Sequence, residues 1–387
     1  MIDADVMIER VRAWASINSH SANVAGLTAV LDAVEPAFAR LGACDRVPLP
    51  AVERVEMDGA VTTFRTAPAL RVRCRPDAPR QALLVIHVDT VYPVGSSFQT
   101  VMEGDGQFNG PGVLDAKGGL AVMLSALESF EADRPGDDLG WTVVLNPDEE
   151  IGSPASAGLL RSEAERAAAA PGGGYGLVFE PALPNGDLVG QRKGSGNYQV
   201  LVTGRSAHAG RDFFEGRNAV VVAAGLAVRL AGLTDAEAGT TVNVSAIGGG
   251  GPTNVVPGSA VVHANARVVT TEAATAIDAA IRSAAADMEA DGIAIAVHGG
   301  MTNPPKMLDD ASAALFERLR SVASYGFAIG SSGGVCDGNK LAAAGLPVID
   351  TLGPVGGCMH STDEYLELAS LVPRAEAAAA LLRSLAG

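Results

Sequence analysis

The chain has 387 residues, enough for about two domains that each bury a core. It is 48% hydrophobic and 19% charged, which excludes a disordered chain, and no apolar run approaches the ~20 residues of a membrane span. Lys plus Arg number 28 against 44 Asp plus Glu, a formal charge of −16, so neither nucleic acid nor an anionic membrane is an expected partner.

From the N-terminus to Ser16, the residues Ile8, Val11, Trp14 and Ala15 share one helical face, with Asp3, Asp5, Glu9 and Arg10 interspersed. This spacing predicts an amphipathic helix, not a signal peptide. Cys44, Cys74, Cys336 and Cys358 are scattered without a C-x-x-C pair, which suits a reducing cytoplasm and no disulfide framework.

Next, apolar β-rich runs alternate with helical ones. Ala82–Val88 predicts a buried strand, Lys117–Phe130 a helix, Trp141–Asn146 a strand, Ala155–Ala170 an Ala-rich helix and Leu177–Phe179 a short strand. Leu346–Ile349 and a helix over Val372–Leu385 close the chain. Such alternation indicates an α/β sheet covered by helices.

The stretch 190–299 has a different texture. Strands are expected at Asn197–Thr203, Thr241–Ile247, Ser259–Val269 and Ile293–Val297, with helices at Asn218–Leu230 and Glu272–Asp291. That β-α-β-β-α-β order is the ferredoxin-like split motif. The expected organisation is an α/β domain of residues 1–189 and 300–387, with an inserted ferredoxin-like α+β domain.

Acidic and imidazole residues sit where the β runs end. His87-Val88-Asp89 closes the first strand, Asp115 lies in a Gly-rich segment before a helix, Asp148-Glu149-Glu150 follows the second strand, and Glu180 the third. His360 follows the last strand in the same way. In open α/β sheets ligands bind beyond the carboxyl ends of strands, so these clusters are expected to converge. Imidazole nitrogen and carboxylate oxygen are the donors that zinc accepts, and a two-ion site needs a carboxylate between the ions. His87, Asp115, Glu150, Glu180 and His360 supply five ligands. Glu149 is left for proton transfer, and Asp89 is placed to take the other ring N–H of His87.

With H-V-D-T-V, G-P-G-V-L-D-A-K-G-G, D-E-E-I-G-S, F-E-P, G-R-S-A-H-A-G, T-N-V-V-P and M-H-S-T-D-E-Y in this order, the chain resembles the M20 metallopeptidases. That family includes carboxypeptidase G2-like enzymes and the acetylornithine deacetylase and succinyl-diaminopimelate desuccinylase group. The resemblance implies a zinc-peptidase-type catalytic domain with an inserted lid and dimerisation domain. It implies two Zn²⁺ per chain, with Co²⁺ or Mn²⁺ also suited to N/O ligands. Asp115 would bridge the ions, with Glu150 and His360 completing one site and His87 and Glu180 the other. Glu149 would be the general base, and the peptide bond after Asp115 would be cis.

In the insert, the resemblance implies that His208 reaches the site of a partner subunit and that Asn254 and Arg267 bind a substrate carboxylate. The expected assembly is therefore a homodimer. Lys193, near the domain junction, is a further candidate for a second carboxylate. Two segments depart from the family pattern: Gly330–Gly338 carries a Val335-Cys336 step, and Asn303-Pro304-Pro305 replaces an Arg-Pro type of sequence. Both are expected to touch substrate. The substrate reading is a small peptide or N-acyl amino acid with a free carboxylate, in the manner of carboxypeptidase G2, with a C-terminal glutamate as one candidate. The alternatives are an acetyl- or succinyl-amino acid deacylase and an inactive metal-bound binding protein.

His20, His263 and His298 lack acidic company and read as structural. The glycine runs at Gly172–Gly174 and Gly248–Gly251 fit no phosphate-loop pattern, and no G-x-S-x-G elbow is present.

Overall fold

The computed structural model describes residues 2–133 and 136–387; Met1, Arg134 and Pro135, which fall in the expected N-terminal helix and α/β domain, lie outside the described residues. The chain forms two units, one of residues 2–50, 65–191 and 306–387 and one of residues 51–64 and 192–305.

The larger unit is built on a six-stranded sheet in the spatial order Ala43–Val47, Ala69–Cys74, Leu139–Asn146, Arg80–His87, Gly174–Val178 and Val348–Ile349. The first two pairings are antiparallel and the remaining three parallel. Ala82–Ile86 and Trp141–Leu145 are buried on both faces, as central parallel strands covered by helices must be. The expected helix at Lys117–Phe130 is found as Gly119–Ala132 and packs on the C-terminal helix Leu371–Ala386. It starts two residues late because Val113–Gly118 winds as a wider turn whose backbone leaves helical geometry at Asp115 and Ala116.

Gly119 lets that helix approach the sheet. A Cβ there would stand 2.0 Å from the carbonyl oxygen of Phe179, just before Glu180. Gly119→Ala is expected to destabilise the fold by about 1–3 kcal/mol. Urea unfolding would measure this, and an unchanged midpoint would show that the two backbones can separate freely.

The smaller unit is ferredoxin-like, with Thr241–Gly249, Ser259–Val268, Gly194–Thr203 and Ala294–Asn303 forming an antiparallel sheet in that spatial order. Helices Ala219–Ala231 and Thr271–Ala286 cover one face, where Tyr198, Val200, Leu226, Val262, Ile277 and Ile281 make the core. Asn218 and Thr270 cap the helices by accepting from backbone N–H groups of the first turn. The last strand runs beyond the expected Val297 to Asn303, which pairs with Ser195. The hairpin Val52–Val55/Val61–Phe64 also belongs to this unit, Val55 N–H donating to Gln199. The sequence reading leaves it in the larger domain, because four-residue, largely exposed strands carry no apolar run to mark them.

All four cysteines are free. Among the described residues no helix is long and apolar enough to cross a membrane.

Candidate metal centre

The parallel strands deliver their carboxyl ends side by side. His87 ends the strand Arg80–His87, whose neighbours on either side lead into Glu149–Glu150 and Glu180. His87, Asp89, Asp115 and Glu180 are buried, Glu149 and Glu150 are half-buried, and His360 is exposed.

Asp115 stands between the two histidines. Its Oδ1 lies 3.0 Å from His87 Nε2, and its Oδ2 lies 3.4 Å from His360 Nε2. Glu180 Oε2 is 3.7 Å from His87 Nε2, and Glu150 Oε2 is 3.1 Å from His360 Nε2. The donors thus form two groups sharing one carboxylate: His87, Asp115 and Glu180, and Asp115, Glu150 and His360. The peptide bond between Asp115 and Ala116 is cis.

This set fits a pair of divalent ions. Two donors each about 2.0–2.2 Å from a tetrahedral ion stand about 3.3–3.6 Å apart. The four imidazole–carboxylate spacings here run from 3.0 to 3.7 Å. Nitrogen and oxygen donors without a thiolate suit Zn²⁺, Co²⁺ or Mn²⁺.

The electrostatics express the same crowding of anions. Burial pushes the Glu149 carboxyl well above its ordinary range, and the charge of Glu180 adds to the effect. Glu150 is raised to about 7 by burial and by Asp115. Burial alone would lower His87, yet Glu180 and the bonds to Asp115 and Asp89 hold it well above its usual value. His360 is raised to about 10 by Asp115 and Glu150. Burial opposes ionisation of Asp115, but the hydrogen bonds from His360 and His87 more than offset it, and its pKa falls.

Asp89 does more than face an imidazole. The Nδ1 of His87 lies 3.1 Å from the Asp89 backbone carbonyl and 3.3 Å from its carboxylate. Donation from Nδ1 leaves Nε2 as the electron-pair donor. The Asp89 carboxylate itself accepts from Ser21 Oγ at 2.7 Å and from the backbone N–H groups of Glu149 and Glu150, each at 3.1 Å.

The Asp115 segment is pinned by Glu364. Its carboxylate accepts from Tyr92 OH at 2.6 Å and from the backbone N–H groups of Leu114 at 2.9 Å, Asp115 at 3.1 Å and Gly112 at 3.3 Å. Tyr92 OH also contacts the carbonyl of Ser361, which ties the His360 loop to the same point. Gly112 has φ +72°, and a Cβ there would meet Thr90 at 2.7 Å. Lys117 is fully buried, donates to Ser19 Oγ and the Val88 carbonyl, and is lowered to about 8 by burial.

Ser19, Ser21, Tyr92 and Lys117 stand in no sequence pattern that marks them for these roles. Lys117 is the one cation of the Gly-rich segment Gly110–Gly119, two residues past Asp115. The segment Gly330–Gly338, expected to touch substrate, directs its Asp337 carboxylate to Asn146 and Ser153.

The remaining candidates lie in the smaller unit. His208 is exposed, on a short bridge with Val255, and its Nδ1 accepts from Gly210 N–H at 3.1 Å. The neighbouring Ala209 N–H donates to the Asn254 carbonyl, so the His208 and Asn254 loops are joined. Arg267 is half-buried, with Nε donating to Asn265 at 3.0 Å. Lys193 Nζ donates to the carbonyl of Gly239 at 2.9 Å.

Comparison with known proteins agrees with this architecture. The profile of peptidase family M20/M25/M40 matches residues 83–384. Carboxypeptidase G2 from Pseudomonas sp. (strain RS-16) is 31% identical over 319 residues, covering 79% of this chain and 74% of that protein. A succinyl-diaminopimelate desuccinylase from Bordetella petrii is 30% identical over 285 residues, covering 70% and 72%. The crystal structure of an M20 family metallo-carboxypeptidase from Sulfolobus solfataricus superposes with a TM-score of 0.74 at 15% identity, covering 98% of this chain and 99% of that one, a likeness of fold.

Proposed function

The chain belongs to peptidase family M20/M25/M40 and is a hydrolase of amide bonds, and on that premise we propose a two-zinc enzyme that cleaves a small peptide or N-acyl amino acid bearing a free carboxylate. The observation that carries this reading is Asp115, whose two oxygens face two separate imidazole–carboxylate groups, with Glu149 close enough to feel the charges of Glu180, His87 and Glu150. His87 and Glu180 would hold one ion, Glu150 and His360 the other, and Asp115 both. When bound, such ions lower the pKa of water towards neutrality and polarise a carbonyl oxygen.

The chain's own groups do the rest. Glu149 takes a proton from the attacking water as its oxygen bonds to the amide carbon. It returns that proton to the amine nitrogen as the C–N bond breaks. Arg267 is suited to a bidentate contact with the substrate carboxylate, with Asn254 as a second donor. The ferredoxin-like unit is proposed as lid and dimerisation domain. His208, exposed on its loop, would complete the site of a second copy as an oxyanion donor. Lys193 remains a candidate for a second substrate carboxylate. Four free cysteines suit a cytoplasmic location.

The carboxypeptidase relative supports a C-terminal residue as leaving group, for which we take glutamate; the desuccinylase relative supports a second reading, removal of a succinyl group from an amino acid, to which we add an acetyl group. A panel of N-acyl amino acids and of peptides ending in glutamate, assayed with the zinc-loaded protein, separates them. Higher kcat/KM on the glutamate peptides supports the first reading and on acetyl- or succinyl-amino acids the second. Bound metal with no turnover on any amide would reject both in favour of a binding protein.

A further inference from the structure

Resting on that reading, we infer that Asp337 is a positioning residue that sets the geometry of the Glu149–Glu150 turn from a distant part of the chain. The turn is short. Glu149–Ile151 makes a single tight helical turn, closed by Gly152 N–H on the Glu149 carbonyl and Ser153 N–H on the Asp148 carbonyl, each at 2.7 Å. The Asp148 carboxylate adds local bonds downstream, accepting from Ala155 N–H at 2.7 Å, Ser156 N–H at 3.2 Å and Ser156 Oγ at 2.6 Å, but none of them reaches Asn146, the strand end before the turn.

Asp337 supplies the missing constraint. It opens the helix Asp337–Ala343 and is 1% exposed. Its Oδ2 accepts from Asn146 Nδ2 at 2.7 Å, and its Oδ1 accepts from Ser153 Oγ at 2.5 Å and Lys340 Nζ at 3.0 Å. Asn146 ends the strand before the turn, and Ser153 follows Gly152 with a left-handed φ of +56°. One carboxylate therefore grips both ends of residues 147–152.

The middle of the turn is held separately, by Asp89 on the N–H groups of Glu149 and Glu150. Two fixed ends and a fixed middle leave the turn no rigid-body freedom. The choice of residue type follows from the three converging donors, which an ionised carboxylate accepts and an amide cannot all accept. Lys340 pairs with Asp337, so the clamp adds no net charge to an already acidic centre.

The test uses Ser153→Ala and Asp337→Asn in the full chain, with the milder Ser153→Ala retained in case Asp337→Asn folds poorly. Each variant is loaded with Co²⁺, and its visible absorption is recorded beside kcat, KM, metal content and thermal melting. The clamp predicts a shifted cobalt band, because Glu150 is moved, and a kcat lowered about 10–100-fold with full metal content. KM stays within about threefold.

Wild-type spectra and kcat in both variants would overturn the inference. So would a change confined to KM, or a loss of kcat that only follows lost metal or lost folded protein. If the wild-type chain hydrolyses no amide, the functional reading fails on its own, while the cobalt band still tests the clamp.

Discussion

Glu149→Gln is expected to keep the fold and both metal ions and to lower kcat by about 10²–10⁴-fold, the span of a general acid–base group. The bond that holds this position in place comes from its backbone: Glu149 N–H donates to Asp89 Oδ1 at 3.1 Å, and substitution of the side chain leaves it intact. The neighbouring Glu150 N–H keeps its own bond to Asp89. The Glu150 oxygen therefore stays beside His360, and the donor groups, which do not include Glu149, remain whole. The substitution removes a proton acceptor and little else. Metal content by elemental analysis, measured beside kcat on the best amide of the panel, checks this. Activity within about tenfold of wild type would place the proton transfer elsewhere, and activity that falls in step with metal content would make Glu149 a ligand.

How far the sequence leads to this site depends on the kind of signal. The apolar runs at Ala82–Val88 and Trp141–Asn146, with a helix between them, dictate parallel strands. Parallel strands place His87 and the Glu149–Glu150 pair at the same edge of the sheet. That convergence is legible in the sequence alone. So is the ferredoxin-like order of the smaller unit, because two helices and four strands each carry their own periodicity.

Apart from Asp89, two residues past its histidine, the supporting residues are not legible in the sequence. Ser21 is 68 positions from Asp89, and Asp337 is 184 from Ser153. A single hydroxyl or carboxylate in a loop has no periodicity to announce its partner. The hairpin of residues 51–64 escaped for the opposite reason, since its exposed strands hardly alternate. The turn at Asp115 shows a further limit: Asp before a helix is also a common cap, and nothing in the sequence shows the non-helical backbone at Asp115 and Ala116.

Chelation should abolish activity and lower the melting temperature, and the way Glu150→Gln responds gives the sharper test. An ion that binds only the folded chain stabilises it by about 4 kcal/mol when present at a thousand times its Kd. Without that ion the site gathers carboxylates that repel one another. Burial and Asp115 raise Glu150 to about 7 from an ordinary 4.5, so its ionised form opposes folding. The opposition is complete above about pH 7 and fades as the pH falls towards about 4.5, where the folded-state group is protonated.

In chelator at about pH 8, Glu150→Gln is therefore expected to melt higher than wild type, since the amide carries no charge. With zinc the order reverses, because the variant has lost a donor to one ion and the wild type has not. Its advantage in chelator should shrink as the pH is lowered. Thermal melting of both proteins, with zinc and with chelator at two pH values, reads the whole pattern. A wild type that melts higher under both conditions would mean that the centre is not strained by charge without its ions. A Glu150→Gln variant that gains as much from zinc as wild type would remove Glu150 from the ligands.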